Sequence, residues 1–162
     1  MAISMFRVDK NGTAQNGLAN LTYTKLTWAR ALINDGSYFD LANGVYRPPT
    51  GARIWLSANV WAGANCKSPN NSPYEGYNFT IKIIKNNGVY DQNGVTWDQA
   101  GVGWEPAGYT NTAGACIGGF ADVVTDGDYY DLRAYTTSTD GTNIVEVDGN
   151  PAHTAWSGMC FT

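Results

Sequence analysis

The sequence has little charge and few of the residues that do chemistry. Only 15% of its 162 residues are charged, and it has one histidine, His153. A disordered chain needs much charge and few rings, so 43% apolar and 13% aromatic content excludes one. No G-x-S-x-G surrounds any serine, and one histidine in a loop-like context gives a Ser/His/Asp apparatus no support. The three glutamates, Glu75, Glu105 and Glu146, stand far apart in loop-like contexts, so a carboxylate pair for glycoside hydrolysis could be assembled only by the fold. The chain is expected not to be an enzyme.

Cysteine is scarce as well. Cys66, Cys116 and Cys160 are an odd number without CxxC spacing, which argues against both a disulfide framework and a zinc site. Buried free thiols are expected, with a Cys66 to Cys116 bridge as the alternative. No apolar run approaches the roughly 20 residues of a membrane helix, and MAISMFRVDK lacks the apolar stretch of a signal peptide. As it stands the chain is expected to be soluble, made in the cytosol and not inserted in a membrane. A net charge of −4 and ten scattered basic residues offer no footprint for a phosphate backbone, so no nucleic-acid partner is expected. The sequons at Asn11, Asn20, Asn70 and Asn78 carry no weight without a secretory signal.

What the chain does have is 19 glycines, 10 tyrosines and 6 tryptophans, the composition of short strands joined by glycine turns. There is no internal repeat, low-complexity block or charge run, and 162 residues suit one buried core, so residues 1–162 read as a single domain. ISMFRV reads as a first strand. LTYTKLTWARAL carries Leu21, Tyr23, Leu26, Trp28 and Leu32 and favours short extended pieces, a helical turn being the competing possibility. From Arg53 the alternation is clear: Ile54, Leu56, Ala58 and Val60 fall on one face, and Arg53, Trp55, Ser57, Asn59 and Trp61 on the other. YNFTIKIIK alternates Phe79, Ile81 and Ile83 with Thr80, Lys82 and Ile84, and ends at the turn signal Asn86 to Gly88.

Further along, a glycine-rich stretch embeds Trp97 and Trp104 in a short strand with long loops. GACIGGFADVV then leads to TDGDYYDLRAYTT, where Tyr130, Leu132 and Ala134 alternate with Asp131, Arg133 and Tyr135. GACIGG lacks the lysine of a phosphate loop and reads as a strand that needs close packing. Asp122, Asp126, Asp128 and Asp131 lack the D-x-D-x-D-G pattern and terminal glutamate of a calcium loop, so a tight turn with solvated aspartates is expected, with calcium the alternative. No other cofactor is indicated. Eight or more short strands point to an all-β sandwich or jelly roll.

One stretch is more specific. FDLANGVYRPPTG, residues 39 to 51, sets two aromatics around a turn, then a proline pair hostile to a helix or central strand, then a glycine opening into ARIWLSANVW. That order resembles the complement C1q and tumour necrosis factor-like globular head, in which an aromatic, glycine, aromatic, proline segment leads into a long core strand. GDYYDLRAY and HTAWSGMCF are similar to that family's Gly-Asp turn and terminal Ser-Gly strand, and the resemblance runs from about Phe6 to Phe161. ARIWL stands where the family has Val-Tyr-x-Phe, which leaves the strand register open by one residue. No collagen-like stalk precedes the head, so the version looks like the stand-alone heads of bacteria and tailed bacteriophages.

The resemblance implies a jelly roll of about ten antiparallel strands that packs as a homotrimer, with Trp55, Trp61 and Tyr135 as candidate trimer contacts. It also implies a non-enzymatic virion-surface module, a bacteriophage head decoration, spike or fibre head, with itself and capsid or tail proteins as partners. The alternative is a lectin-like module binding a glycan or host receptor through aromatic loops at Tyr74, Tyr77, Trp97, Trp104 and Tyr109, in an extracellular setting.

Overall fold

The computed structural model describes residues 1–19, 21–62, 77–86, 97–99, 113–138 and 145–162. The expected ISMFRV strand is β1 (Ile3–Asp9). It is followed by β2 (Gln15–Leu18), β3 (Tyr23–Lys25) and β4 (Arg30–Asn34), a single 3-10 turn (Asp35–Ser37), and the two-residue strands β5 (Phe39–Asp40) and β6 (Val45–Tyr46). The long strands are β7 (Arg53–Ala62), β8 (Tyr77–Lys85), β10 (Ala113–Val123), β11 (Tyr130–Ser138) and β13 (Ala155–Phe161), with β9 (Trp97–Gln99) and β12 (Val145–Val147) between them. All pairings are antiparallel. LTYTKLTWARAL forms the extended pieces β3 and β4, not a helix. Leu26 and Trp28 between them are buried, while Leu21 and Leu32 lie exposed outside the core.

Two sheets face each other. The first runs β2-β12-β7-β13-β1-β4, with β10 on the other edge of β7, and the second runs β5-β6-β11-β8-β9, with β3 also paired to β11. Alternation decides what each contributes to the core. Phe6, Val8, Ile54, Leu56, Ala58, Val60, Ala115, Ile117 and Trp156 point inward from the first sheet; Phe39, Tyr46, Phe79, Ile81, Ile83, Tyr130, Leu132 and Ala134 do so from the second. The register left open at ARIWL is the one that buries Ile54 and turns Trp55 outward.

The FDLANGVYRPPTG corner is tied to this core by its two aromatics. Phe39 pairs with Tyr46 across a turn where Asn43 N donates to Asp40 Oδ1 at 3.1 Å and Gly44 takes φ 63°. Both rings pack on Phe6, at centroid distances of 5.0 and 4.3 Å, and Trp156 meets Phe6 edge-on at 5.2 Å. Gly51, at φ 81°, turns the chain into β7, its N–H bonded to the Val124 carbonyl at 2.9 Å. The terminal Ser-Gly pair has an equally local cause. A Cβ on Gly158 would sit 2.4 Å from Leu56 Cδ2 and 2.6 Å from Phe6 Cε1, so β13 can lie this close only with glycine there.

One buried cation opposes this packing. Lys10 is 1% exposed, donates to Gln15 Oε1 at 2.7 Å and Thr27 Oγ1 at 3.3 Å, and sits 5.6 Å from the centroid of the Trp28 ring. Burial brings its ammonium pKa down to about 8. The unfolded chain holds that proton up to about pH 10.4. The cost of burying the charge is therefore complete below pH 8, and stability rises as pH climbs from 8 toward the unfolded value. Lys10→Met is expected to raise stability at neutral pH by about 1–3 kcal/mol. It should also flatten the pH 7.5–9.5 rise (about two units, within the window set by the two pKa values) in thermal unfolding.

Candidate functional site

Among the described residues, the outward face of the first sheet carries most of the large exposed apolar side chains. Across β1, β13, β7 and β10 the register lines up Ile3, Phe161, Arg53 and Val123 in one row, and Met5, Met159, Trp55 and Ala121 in the next. Ile3 is 53% exposed, Met5 41%, Trp55 45% and Val123 55%, so a largely apolar patch lies open, interrupted in its first row by the exposed Arg53. Leu32 and Ile33 of β4 are exposed at the edge of the same sheet.

Small residues shape this face. β10 bulges between Ile117 and Phe120, and a Cβ on Gly119 would fall 2.0 Å from Trp55 Cζ2, so the indole lies directly across the glycine. The close packing expected of GACIGG is this contact. The next rows are polar: Arg7 pairs with Ser157 and Ser157 with Ser57, the two serine hydroxyls lying 3.0 Å apart. Met5, Arg7, Ile33, Trp55, Ser57 and Met159 help to line a shallow cavity of about 200 Å³.

The sequence-predicted contacts lie together only in part. Trp55 and Trp61 share this face, but Trp61 is held between His153, stacked at 4.6 Å, and Gly114. Tyr135 lies on the second sheet, paired with Tyr23 of β3, their rings 4.6 Å apart. Of the candidate recognition residues, Tyr77 opens β8 and Trp97 opens β9 opposite Ile83, both in strands. Tyr74, Trp104 and Tyr109 lie outside the described residues, as do Glu75, Glu105 and Cys66. Ile3, Met5, Val123, Met159 and Phe161 are not legible in the sequence as one surface, because only the pairing of β1, β13, β7 and β10 makes them neighbours.

Cys160 is buried as expected, Cys116 is an exposed thiol on β10, and the alternative of a bridge to Cys66 falls outside the described residues. His153 Nδ1 lies 2.6 Å from Asp148 Oδ2, and among the described residues no serine, threonine or cysteine side chain hydrogen-bonds to it. The aspartate cluster is dispersed by its partners. Asp131 takes a bidentate bond from Arg133, at 2.7 and 2.9 Å, and Asp126 is exposed near Thr50. Asp122 and Asp128 share Lys85, at 2.9 and 2.8 Å. Among the described residues no group of three or more His, Cys, Asp or Glu is placed to hold a metal.

Burial alone would push the Asp128 carboxyl up. Bonds from Lys85, Asn86 and the backbone and hydroxyl of Thr125 outweigh it and hold the group well below the usual carboxylate range; Asp122 shifts the same way. Because the folded values lie below the unfolded one, about 3.9, this stability is complete above the unfolded value and is lost as pH falls through the folded ones. Asp128→Asn is expected to cost about 1–3 kcal/mol at pH 7. It should also lessen the drop in melting temperature between pH 5 and 3, about one unit either side of the unfolded pKa.

No family model matches the chain, and no curated protein matches it. The solved structure of Eiger TNF from S. frugiperda is similar at 11% identity with a TM-score of 0.50, covering 100% of this chain and 94% of that one. The fold is the TNF-like jelly roll. A structure of the infectious bursal disease virus Gx strain aligns more loosely, at 8% identity and a TM-score of 0.45, over 99% of this chain and 37% of that one. In this TNF-like jelly roll the apolar rows occupy the outer side of the β4-β1-β13-β7-β10 sheet, and no helix among the described residues is long and apolar enough to cross a membrane.

Proposed function

We propose that this chain is a non-enzymatic structural module that assembles as a homotrimer on a virion surface, as a bacteriophage head decoration, spike or fibre head. The observation that carries the reading is the exposed patch of Ile3, Met5, Trp55 and Val123 on one sheet face, which self-association would remove from water. At about 25 cal/mol per Å² of apolar surface, covering four such side chains contributes several kcal/mol of association. The virion setting rests on the likeness of FDLANGVYRPPTG, GDYYDLRAY and HTAWSGMCF to the C1q and tumour necrosis factor-like head, in a version that looks like the stand-alone heads of bacteria and tailed bacteriophages. Capsid or tail proteins are the further partners this reading requires.

Light scattering on the purified chain at micromolar concentration tests it. A mass three times that of the 17.5 kDa chain is expected. A monomer across that range would remove the trimer and with it the module.

A further inference from the structure

The same face holds two positive charges that no described residue pairs with. Arg7 and Arg53 are exposed, pointing outward with Met5 and Trp55, and among the described residues neither guanidinium has an ion pair or side-chain hydrogen bond. Other cations are occupied: Arg30 by Asp9, Lys85 by Asp122 and Asp128, Arg133 and Lys25 by Asp131. Among the described residues, β1, β13, β7 and β10 carry two carboxylates: Asp9, which Arg30 already takes at 2.7 Å, and Asp122, which is turned toward Lys85 and Tyr130. On a chain of net charge −4, the self-association face is thus apolar and positive.

Charge layout discriminates between ways of covering it. Two copies placed face to face about a twofold axis would meet arginine-bearing face with arginine-bearing face and bury unpaired like charges, which is strongly unfavourable. A rotation that lays the edge of one copy on the face of the next avoids this, because the edges carry carboxylates to spare. Asp35, just beyond edge strand β4, is exposed and accepts from Met5 N at 3.2 Å; Asp126, just beyond edge strand β10, is exposed and accepts from Thr50 Oγ1 at 3.3 Å. Neither has a cationic partner among the described residues.

We infer that Arg7 and Arg53 determine the geometry of assembly, each pairing with an edge carboxylate of the next copy and so selecting a closed ring over a face-to-face dimer. This rests on the self-association reading above and adds the residues that direct it. Like-charge juxtaposition suppresses the wrong arrangement while the apolar rows supply the area.

Native mass spectrometry and sedimentation velocity would test it on the wild type, on Arg7→Glu and Arg53→Glu, and on each reversal combined with Asp35→Arg or Asp126→Arg. Arg7→Gln and Arg53→Gln guard against a reversal that fails to fold, with thermal unfolding as the check. Each reversal is expected to weaken assembly about tenfold or more, each glutamine variant less, and one edge reversal to restore it. Wild-type assembly should weaken as salt rises from about 0.05 to 0.5 M. An oligomeric wild type whose reversals assemble as well as it does, or whose reversals neither edge variant restores, would overturn the inference and leave self-association standing. A wild type that remains monomeric would instead overturn the self-association reading itself.

Discussion

Trp156→Ala is expected to lower stability by about 3–5 kcal/mol, the range for truncating a large buried aromatic. Trp156 is fully buried, and its ring meets Phe6 at 5.2 Å and Phe39 at 5.4 Å edge-on, with Trp28 at 6.1 Å. It therefore joins the first strand, the FDLANGVY corner and the last strand in one contact. Deleting it leaves a cavity walled by rings from three separate segments, which cannot collapse together because each is held by its own sheet pairing. For a domain of this size the midpoint of thermal unfolding should fall by roughly 6–20 °C. Trp156→Phe should cost distinctly less, since the buried Trp156 indole N–H has no hydrogen-bond partner among the described residues to lose. Equal losses in the two variants would show that the aromatic cluster does not close the sandwich as described.

Trp55→Asp is expected to act in the opposite place, leaving the fold intact while weakening self-association by about 30-fold or more, the effect of losing a 2 kcal/mol hot spot. The ring is 45% exposed on the outward face and makes no contribution to the inward core, so a monomer tolerates an aspartate there. In an assembly that aspartate would be carried into the centre of an apolar row, between Met159 and Ala121. Thermal unfolding should show a folded chain, and sedimentation at micromolar concentration should show a shift to monomer. A Trp55→Asp protein that still assembles with wild-type affinity would move the interface off this face. Paired with Trp156→Ala, the experiment separates a tryptophan that holds the chain together from one that holds copies together.

Much of the sandwich is legible before any coordinates. The alternation from Arg53 to Trp61 assigns each side chain of β7 to a face, and the structure places Ile54, Leu56, Ala58 and Val60 inside as that pattern requires. The same holds for Tyr130, Leu132 and Ala134. The FDLANGVYRPPTG corner is legible because proline and glycine act on φ locally, without reference to the rest of the chain. LTYTKLTWARAL was less so: its apolar residues do not share one face, since Leu21 takes a left-handed φ of 57° and Leu32 falls at the irregular pairing of β1 with β4.

The candidate surface is another matter. Trp55 could be picked out as an outward ring, but its neighbours Ile3, Met5, Met159 and Val123 come from strands up to 156 residues apart that meet only through β1–β13–β7–β10 pairing. Tyr135 reads like Trp55 in sequence, an aromatic on the polar side of an alternating strand, yet belongs to the opposite sheet. Likewise, nothing in the spacing of Asp122 and Asp128 says that one lysine, Lys85, neutralises both, or that Arg7 and Arg53 find no carboxylate among the described residues.

By itself, then, the sequence determined the strand identity of the chain, the two faces of its longest strands and the corner that admits β7, because period-two alternation and backbone restriction at proline and glycine are local properties. The tertiary structure alone decided which outward faces became neighbours and which charges found partners. Those outcomes depend on register between strands distant in sequence, where a slip of one residue would exchange the buried and exposed sets entirely.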